Sequence, residues 1–184
     1  MLEGETVITP QVQFKKLINK RLEENNKSFS ILFGLSHYGN CISIMCQELD
    51  QYFRLLFLLK QPQHVKDQLI NNSINDQKWY ITDSKNRKEY ITEANIEEFA
   101  KGLEGWESDI FEFRNIFYKI TNNFNYILRD PIKGLNESER DLILKYIKEY
   151  HDKNFDKNYT IKELIPVLPM IFLKISNSIK EYFK

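Results

Sequence analysis

Hydrophobic residues recur through residues 28–60 at alternating steps of four and three, taking in Ile31, Leu35, Tyr38, Ile42, Met45, Leu49, Tyr52, Leu56 and Leu59. On an α-helix that spacing draws one apolar seam along a single side. A second row, Ser36, Asn40, Ser43, Gln47, Asp50 and Arg54, keeps the same alternation and predicts a polar side to the same helix. Residues 28–60, capped by Ser28, are therefore expected to form the central helix of the fold.

A second seam runs through Leu103, Trp106, Ile110, Phe113, Phe117, Ile120, Phe124 and Ile127. Two seams of the same period and similar length predict an antiparallel pair crossing at a shallow angle. Around this pair the chain supplies shorter elements. Thr9 and Pro10 mark the start of a helix over 10–25, with Phe14, Leu17, Ile18 and Leu22 on its apolar face and Asn25 and Asn26 as its stop. Pro62 breaks the pattern before a helical piece at 63–71 and a polar loop at 71–78. The aromatic and β-branched stretches 79–82 and 89–92 flank a polar turn at 83–87 and predict a small β-hairpin. Such a hairpin is marginal alone, so it must lie against helices or pair with another chain.

Thr92 caps an expected helix to Leu103, and Asp130-Pro131 ends the second long helix, because a residue before proline avoids helical backbone. Asn136 with Glu139 reads as a capping box opening a helix to Tyr150. After a loop at 151–159, Thr160 caps the last element. Pro166 and Pro169 make its early turns irregular, and Leu168, Ile171, Phe172, Ile175, Ile179 and Phe183 give its packing face. The expected fold is mainly α, a helical bundle built on two long antiparallel helices with a β-hairpin insertion at 79–92.

Length and composition fit that picture. The 184 residues, 42% hydrophobic and 14% aromatic, suffice for one domain over 1–184 with a sizeable core. Lys plus Arg equals Asp plus Glu at 26 each, which removes any global attraction to phosphate backbones or acidic membranes. The longest wholly apolar run, 55–59, is far short of the roughly 20 residues a membrane span needs. Residues 1–9 carry Glu3 and Glu5 and no apolar signal-like run, so a soluble cytoplasmic protein without membrane association is expected. Cys41 and Cys46 are five apart on one helix and point to different sides, which suits reduced thiols.

Few residues carry recognisable chemistry. His37, His64 and His151 have no Glu-x-x-His partner, and a His37–Cys41 pair alone reads as packing, so no metal site and no cofactor are expected. The glycines form no phosphate-cradling loop, and no nucleophile elbow occurs. Gly34, Gly39 and Ser43 read as relief for a closely approaching helix, and Trp106, Phe113, Phe117 and Phe124 as core filling rather than a pocket. What remains is a candidate polar patch of Gln47, Asp50, Arg54, Arg114, Asn115 and Tyr118, with Thr121 and Asn125 beside Arg114. Arg54 follows Asp50 by one turn, and two guanidinium groups meeting across the bundle would suit phosphate or carboxylate oxygens. On that reading Arg114 lies at the surface, and its removal leaves stability nearly intact. A solvated face or a structural ion pair is the competing reading.

The stretch Cys46-Gln47-Glu48-Leu49-Asp50-Gln51-Tyr52-Phe53-Arg54-Leu55-Leu56, followed by Phe113-Arg114-Asn115, resembles the all-α HEPN group, small bundles with two long helices that often serve in bacterial defence or toxin modules. Its ribonuclease members carry Arg, a polar residue and a later His. Arg114 and Asn115 match, whereas Lys119, Ile120 and Thr121 stand where His would fall. The resemblance implies a non-catalytic helical interaction module, possible partners being a protein or RNA. Its alternatives are a divergent metal-independent ribonuclease using Arg114 and a small-molecule-binding bundle. Spare bundle surface and the marginal hairpin together predict a homodimer.

Overall fold

The computed structural model describes residues 9–121 and 130–183. The first long helix, α1 (Pro10–Gly34), opens as expected, with Pro10 in its first turn and the Thr9 hydroxyl accepting the Val12 N–H. It does not stop at Asn25-Asn26. The Asn26 side chain donates back to the Leu22 carbonyl at 2.6 Å, and Asn25 reaches across to Glu48, so both amides are satisfied without breaking the helix. The break falls at residues 35–37. There the Ser36 N–H bonds the Phe33 carbonyl at 3.0 Å and the His37 N–H bonds the Leu32 carbonyl at 2.8 Å, closing the helix end with Ser36 at φ +61°. The expected single helix over 28–60 is thus two helices, and Ser28 lies inside α1. The seam seemed continuous because the turn preserves the three-and-four spacing, yet Ile31 and Leu35 are 62% and 61% exposed.

The second helix, α2 (Tyr38–Lys60), is the centre of the bundle: α1, α3 (Gln63–Ile74), α4 (Glu93–Lys101), α5 (Trp106–Thr121) and α8 (Leu168–Glu181) all pack on it. It is consequently buried well beyond one stripe, with Cys41, Ile42, Met45, Cys46, Leu49, Tyr52, Phe53, Leu55, Leu56 and Leu58 all inside. Each fully buried Leu, Ile or Phe contributes roughly 1.5–3 kcal/mol. The expected polar side is narrower: Asn40, Ser43 and Gln47 face solvent, while Asp50 and Arg54 are partly covered. Among the described residues no helix approaches Gly34 or Ser43; a Cβ at Gly34 would meet nothing within 4 Å, and Ser43 is exposed.

Helices α2 and α5 run antiparallel, since Tyr52 meets Trp106, Phe53 meets Phe111 and Asp50 meets Tyr118. On α5, Phe113 and Phe117 are fully buried with ring centroids 4.3 Å apart, and Phe113 stacks on Tyr146 at 4.7 Å. The seam residues Phe124 and Ile127, like Asn125 of the expected patch, lie outside the described residues. A single 3-10 turn (Pro131–Gly134) leads into α6 (Glu137–Tyr150), which opens on the Asn136–Glu139 capping box. Thr160 and Glu163 form another box at α7 (Ile161–Leu164), and a 3-10 turn at Pro166 joins it to α8. Against the α-helices lies one antiparallel hairpin, β1 (Tyr80–Thr82) with β2 (Lys88–Tyr90), closed by Asp83, whose carboxylate accepts the Lys85 and Arg87 N–H groups. The protein is a mainly α bundle in which the hairpin is the one sheet among the described residues.

Candidate functional site

Where α2 and α5 face each other, their polar residues converge on Asp50. Arg114 donates to Asp50 Oδ1 twice, from Nε at 2.6 Å and from a terminal nitrogen at 2.5 Å, and the Tyr118 hydroxyl donates to Oδ2 at 2.7 Å. These three residues come together because Arg114 and Tyr118 are one turn apart on α5, so both project toward the same point of α2. The guanidinium also lies 5.2 Å from the Tyr118 ring and 5.9 Å from that of Phe111, and Glu97 of α4 approaches it at 3.9 Å.

Arg114 is not at the surface. Its side chain is 10% exposed, and the space beside it, walled by Phe53, Ile96, Glu97 and Phe111, measures about 10 Å³. That is at the lower limit for one water molecule. Burial pushes the neighbouring Cys46 thiol up to about 12, helped by the Asp50 charge, so it carries no nucleophilic thiolate at neutral pH. Burial and the bond to Asp50 likewise raise the Tyr118 phenol. The cluster holds its charges in place rather than offering them to a solute.

The other patch residues go elsewhere. Arg54 does not pair with Asp50; it forms an ion pair with Glu93 at the start of α4, and its guanidinium lies 5.9 Å from the centre of the Trp79 ring. Those three residues, with Lys78, Tyr90, Ile91 and Thr92, line an open groove of about 510 Å³ beside the hairpin. Gln47 is exposed and its backbone carbonyl accepts from Arg21 of α1 at 3.5 Å. Asn115 is exposed on α5.

Two polar clusters escape a reading by sequence alone. Glu48 is wholly buried between α1 and α2, where Asn25 donates to its Oε1, Arg21 Nε stands 3.7 Å away, and Oε2 has no hydrogen-bond partner among the described residues. Burial raises its pKa. Its position one step from Leu49 sat at the border of the seam, and the row Cys41, Met45, Glu48, Tyr52 would have pointed to it. At the opposite end of α5, the Trp106 indole N–H donates to the Tyr146 hydroxyl at 3.1 Å, and His151 Nε2 is 3.4 Å from the same oxygen. Lys174 of α8 sits over Trp106 and Tyr150 at 5.1 and 4.6 Å. Burial, reinforced by the Lys174 charge, lowers His151 to about 4, so the imidazole is neutral at physiological pH. Tyr146 at the centre of this network is 1% exposed, which keeps it from any solute.

Among the described residues, no three His, Cys, Asp or Glu side chains gather as a metal site, and no helix is long and apolar enough to cross a membrane. No family model, curated protein or solved structure matches the chain.

Proposed function

We propose that the chain is a non-catalytic helical interaction module, and that its likeness to the HEPN group extends to a cytoplasmic role beside a protein partner, as in bacterial defence or toxin–antitoxin systems. One observation carries the non-catalytic part: both faces of the Asp50 carboxylate are occupied by Arg114 and Tyr118, in a space of about 10 Å³. A ribonuclease would need that guanidinium free to meet a phosphate in the transition state, with donors aimed at the developing charge. Here the guanidinium neutralises a carboxylate of its own chain. A ligand held between the two long seams fares no better, because Phe53 and Phe111 meet there with ring centroids 5.2 Å apart and the seam residues Phe113 and Phe117 are fully buried.

The test is a cleavage assay. Purified protein incubated with single-stranded and hairpin RNA, in the presence of a chelator, should leave both intact. Cleavage that disappears in Arg114→Lys, with the circular dichroism spectrum preserved, would overturn the reading in favour of the ribonuclease.

A further inference from the structure

The hairpin has two edges, and the protein treats them differently. The Ile91 N–H bonds the Trp79 carbonyl at 2.9 Å and the Asp83 N–H bonds the Arg87 carbonyl at 3.0 Å, with the register Tyr80↔Tyr90, Ile81↔Glu89 and Thr82↔Lys88 between them. In an antiparallel ladder inward-bonded pairs alternate with pairs whose N–H and C=O point away. The 79/91, 81/89 and 83/87 pairs therefore bond inward. Tyr80 and Thr82 on β1, and Lys88 and Tyr90 on β2, turn their backbone groups outward.

On β1 those groups are covered by α3. The Thr82 N–H donates to the Gln68 side chain at 3.3 Å, and Gln68 donates in return to the Thr82 hydroxyl at 2.8 Å. The Asn72 amide meets Tyr80 in either orientation, donating to its carbonyl at 3.3 Å or accepting its N–H at 3.1 Å. On β2 nothing equivalent stands among the described residues. Lys88, Glu89 and Tyr90 are all exposed, Tyr90 by 53%. An uncovered edge with two outward N–H and two outward C=O groups is a template for one more strand.

The local chemistry narrows the occupant. From Lys78 to Tyr90 the hairpin carries four cations, Lys78, Lys85, Arg87 and Lys88, against the carboxylates of Asp83 and Glu89, a net charge of +2 in a chain whose total is zero. Asp83 is already held by Arg87 at 2.8 Å. Past Tyr90 the edge runs into the groove of about 510 Å³, where Trp79 and Ile91 provide apolar wall, Lys78 adds positive charge, and Arg54 is held by Glu93 of the same lining. A second copy of the chain pairing edge to edge over the whole of β2 would set Glu89 opposite its own symmetry mate, a like-charge pair at the closest cross-strand spacing.

We propose that the β2 edge receives an extended acidic peptide segment of another protein as a third strand, with one apolar or aromatic side chain of that segment seated in the groove beside Trp79. This rests on the interaction-module reading and supplies its surface. The backbone of Lys88 and Tyr90 gives the hydrogen bonds, and alternate acidic side chains meet Lys88 and Lys78.

The probe is a synthetic capped peptide alternating Glu or Asp with Val and carrying one central Phe, titrated into isotope-labelled protein while amide exchange is followed by NMR. In the free protein the Lys88 and Tyr90 amides should exchange fast, and the inward-bonded Glu89 and Ile91 amides slowly. Peptide should slow Lys88 and Tyr90 by about tenfold or more, equivalent to an edge strand held about 1.4 kcal/mol below its open state. Lys88→Pro, which removes an outward N–H without touching the ladder, should abolish the effect, and Lys88→Glu should weaken binding about tenfold. Retained slow exchange of Ile91 certifies the hairpin in each variant. Equal binding by Lys88→Pro, or no protection at about 1 mM peptide, overturns the proposal. Protection that rises with protein concentration alone assigns the edge to a second copy, and protection by a single-stranded oligonucleotide assigns it to nucleic acid; either refutes the peptide. These failures leave the module reading standing, which falls only to Arg114-dependent RNA cleavage.

Discussion

Removing the Arg114 side chain should destabilise the fold, contrary to what a surface arginine would do. In Arg114→Ala, Asp50 loses two charge-assisted hydrogen bonds and its neutralising partner while remaining between α2 and α5. Breaking a fully buried pair costs about 3–5 kcal/mol, because a charge is left without compensation. Asp50 is not fully buried; 30% of its side chain is exposed and Tyr118 keeps its bond at 2.7 Å, so water and the phenol offset part of the loss. About 2–4 kcal/mol is expected, a large share of the 5–15 kcal/mol that holds a typical domain together. The double substitution Asp50→Asn with Arg114→Met removes both charges at similar volume and should return to within about 1 kcal/mol of the parent. Urea denaturation followed by far-ultraviolet circular dichroism measures all three proteins, and a double-mutant cycle isolates the coupling. An unchanged midpoint for Arg114→Ala, or a double variant no more stable than the single one, would show that the pair is not what the geometry makes it.

Four further perturbations test the frame. Leu49→Ala and Phe117→Ala, both at fully buried positions, should each cost about 2–5 kcal/mol in the same denaturation assay, and unchanged midpoints would contradict the α2–α5 core. Ser36→Gly should stabilise by roughly 0.5–1 kcal/mol, since glycine takes the left-handed turn at φ +61° without the Cβ penalty; a loss of stability would mean that the hydroxyl matters more than the backbone. His151 should titrate by NMR near 4 instead of its ordinary 6.5. The unfolded chain then binds that proton more readily, so His151 takes stability away as pH falls from 6.5 toward 4 and has no effect above that window; a titration near 6.5 would refute its burial.

What could be read from the sequence was whatever is decided within a turn or two of chain. The caps at Thr9, Thr92, Asn136 and Thr160 all form, because a hydroxyl or amide and the N–H it accepts lie within three residues of one another. The apolar seams locate most of α2 and α5 for the same reason. The division between α1 and α2 was hidden, because it depends on Ser36 entering a backbone conformation that glycine usually marks, two residues after the glycine that is present. Asn25 and Asn26 resembled a stop, but their amides find partners, one of them on another helix, that no local pattern specifies.

The candidate site illustrates the same limit at the level of chemistry. Spacing alone places Asp50 and Arg54 one turn apart, and equally Arg114 and Tyr118, but it does not say which of the two arginines reaches the carboxylate. That choice follows from the antiparallel register: the level of α2 at which Asp50 sits faces Arg114 and Tyr118, while Arg54, one turn on, faces the start of α4 and meets Glu93. Depth then decides function. A guanidinium at the bundle's rim would remain available to an anion, whereas the same group set one turn inward, 10% exposed and bonded to a carboxylate, serves the packing of the helices that carry it. The hairpin's own cations, Lys78, Lys85, Arg87 and Lys88, are all near solvent and lie on a segment whose local charge departs from the neutrality of the whole chain. Recognition by this protein is therefore expected where backbone and charge are both left open, at the β2 edge, and not at the arginine that the helical pattern first singles out.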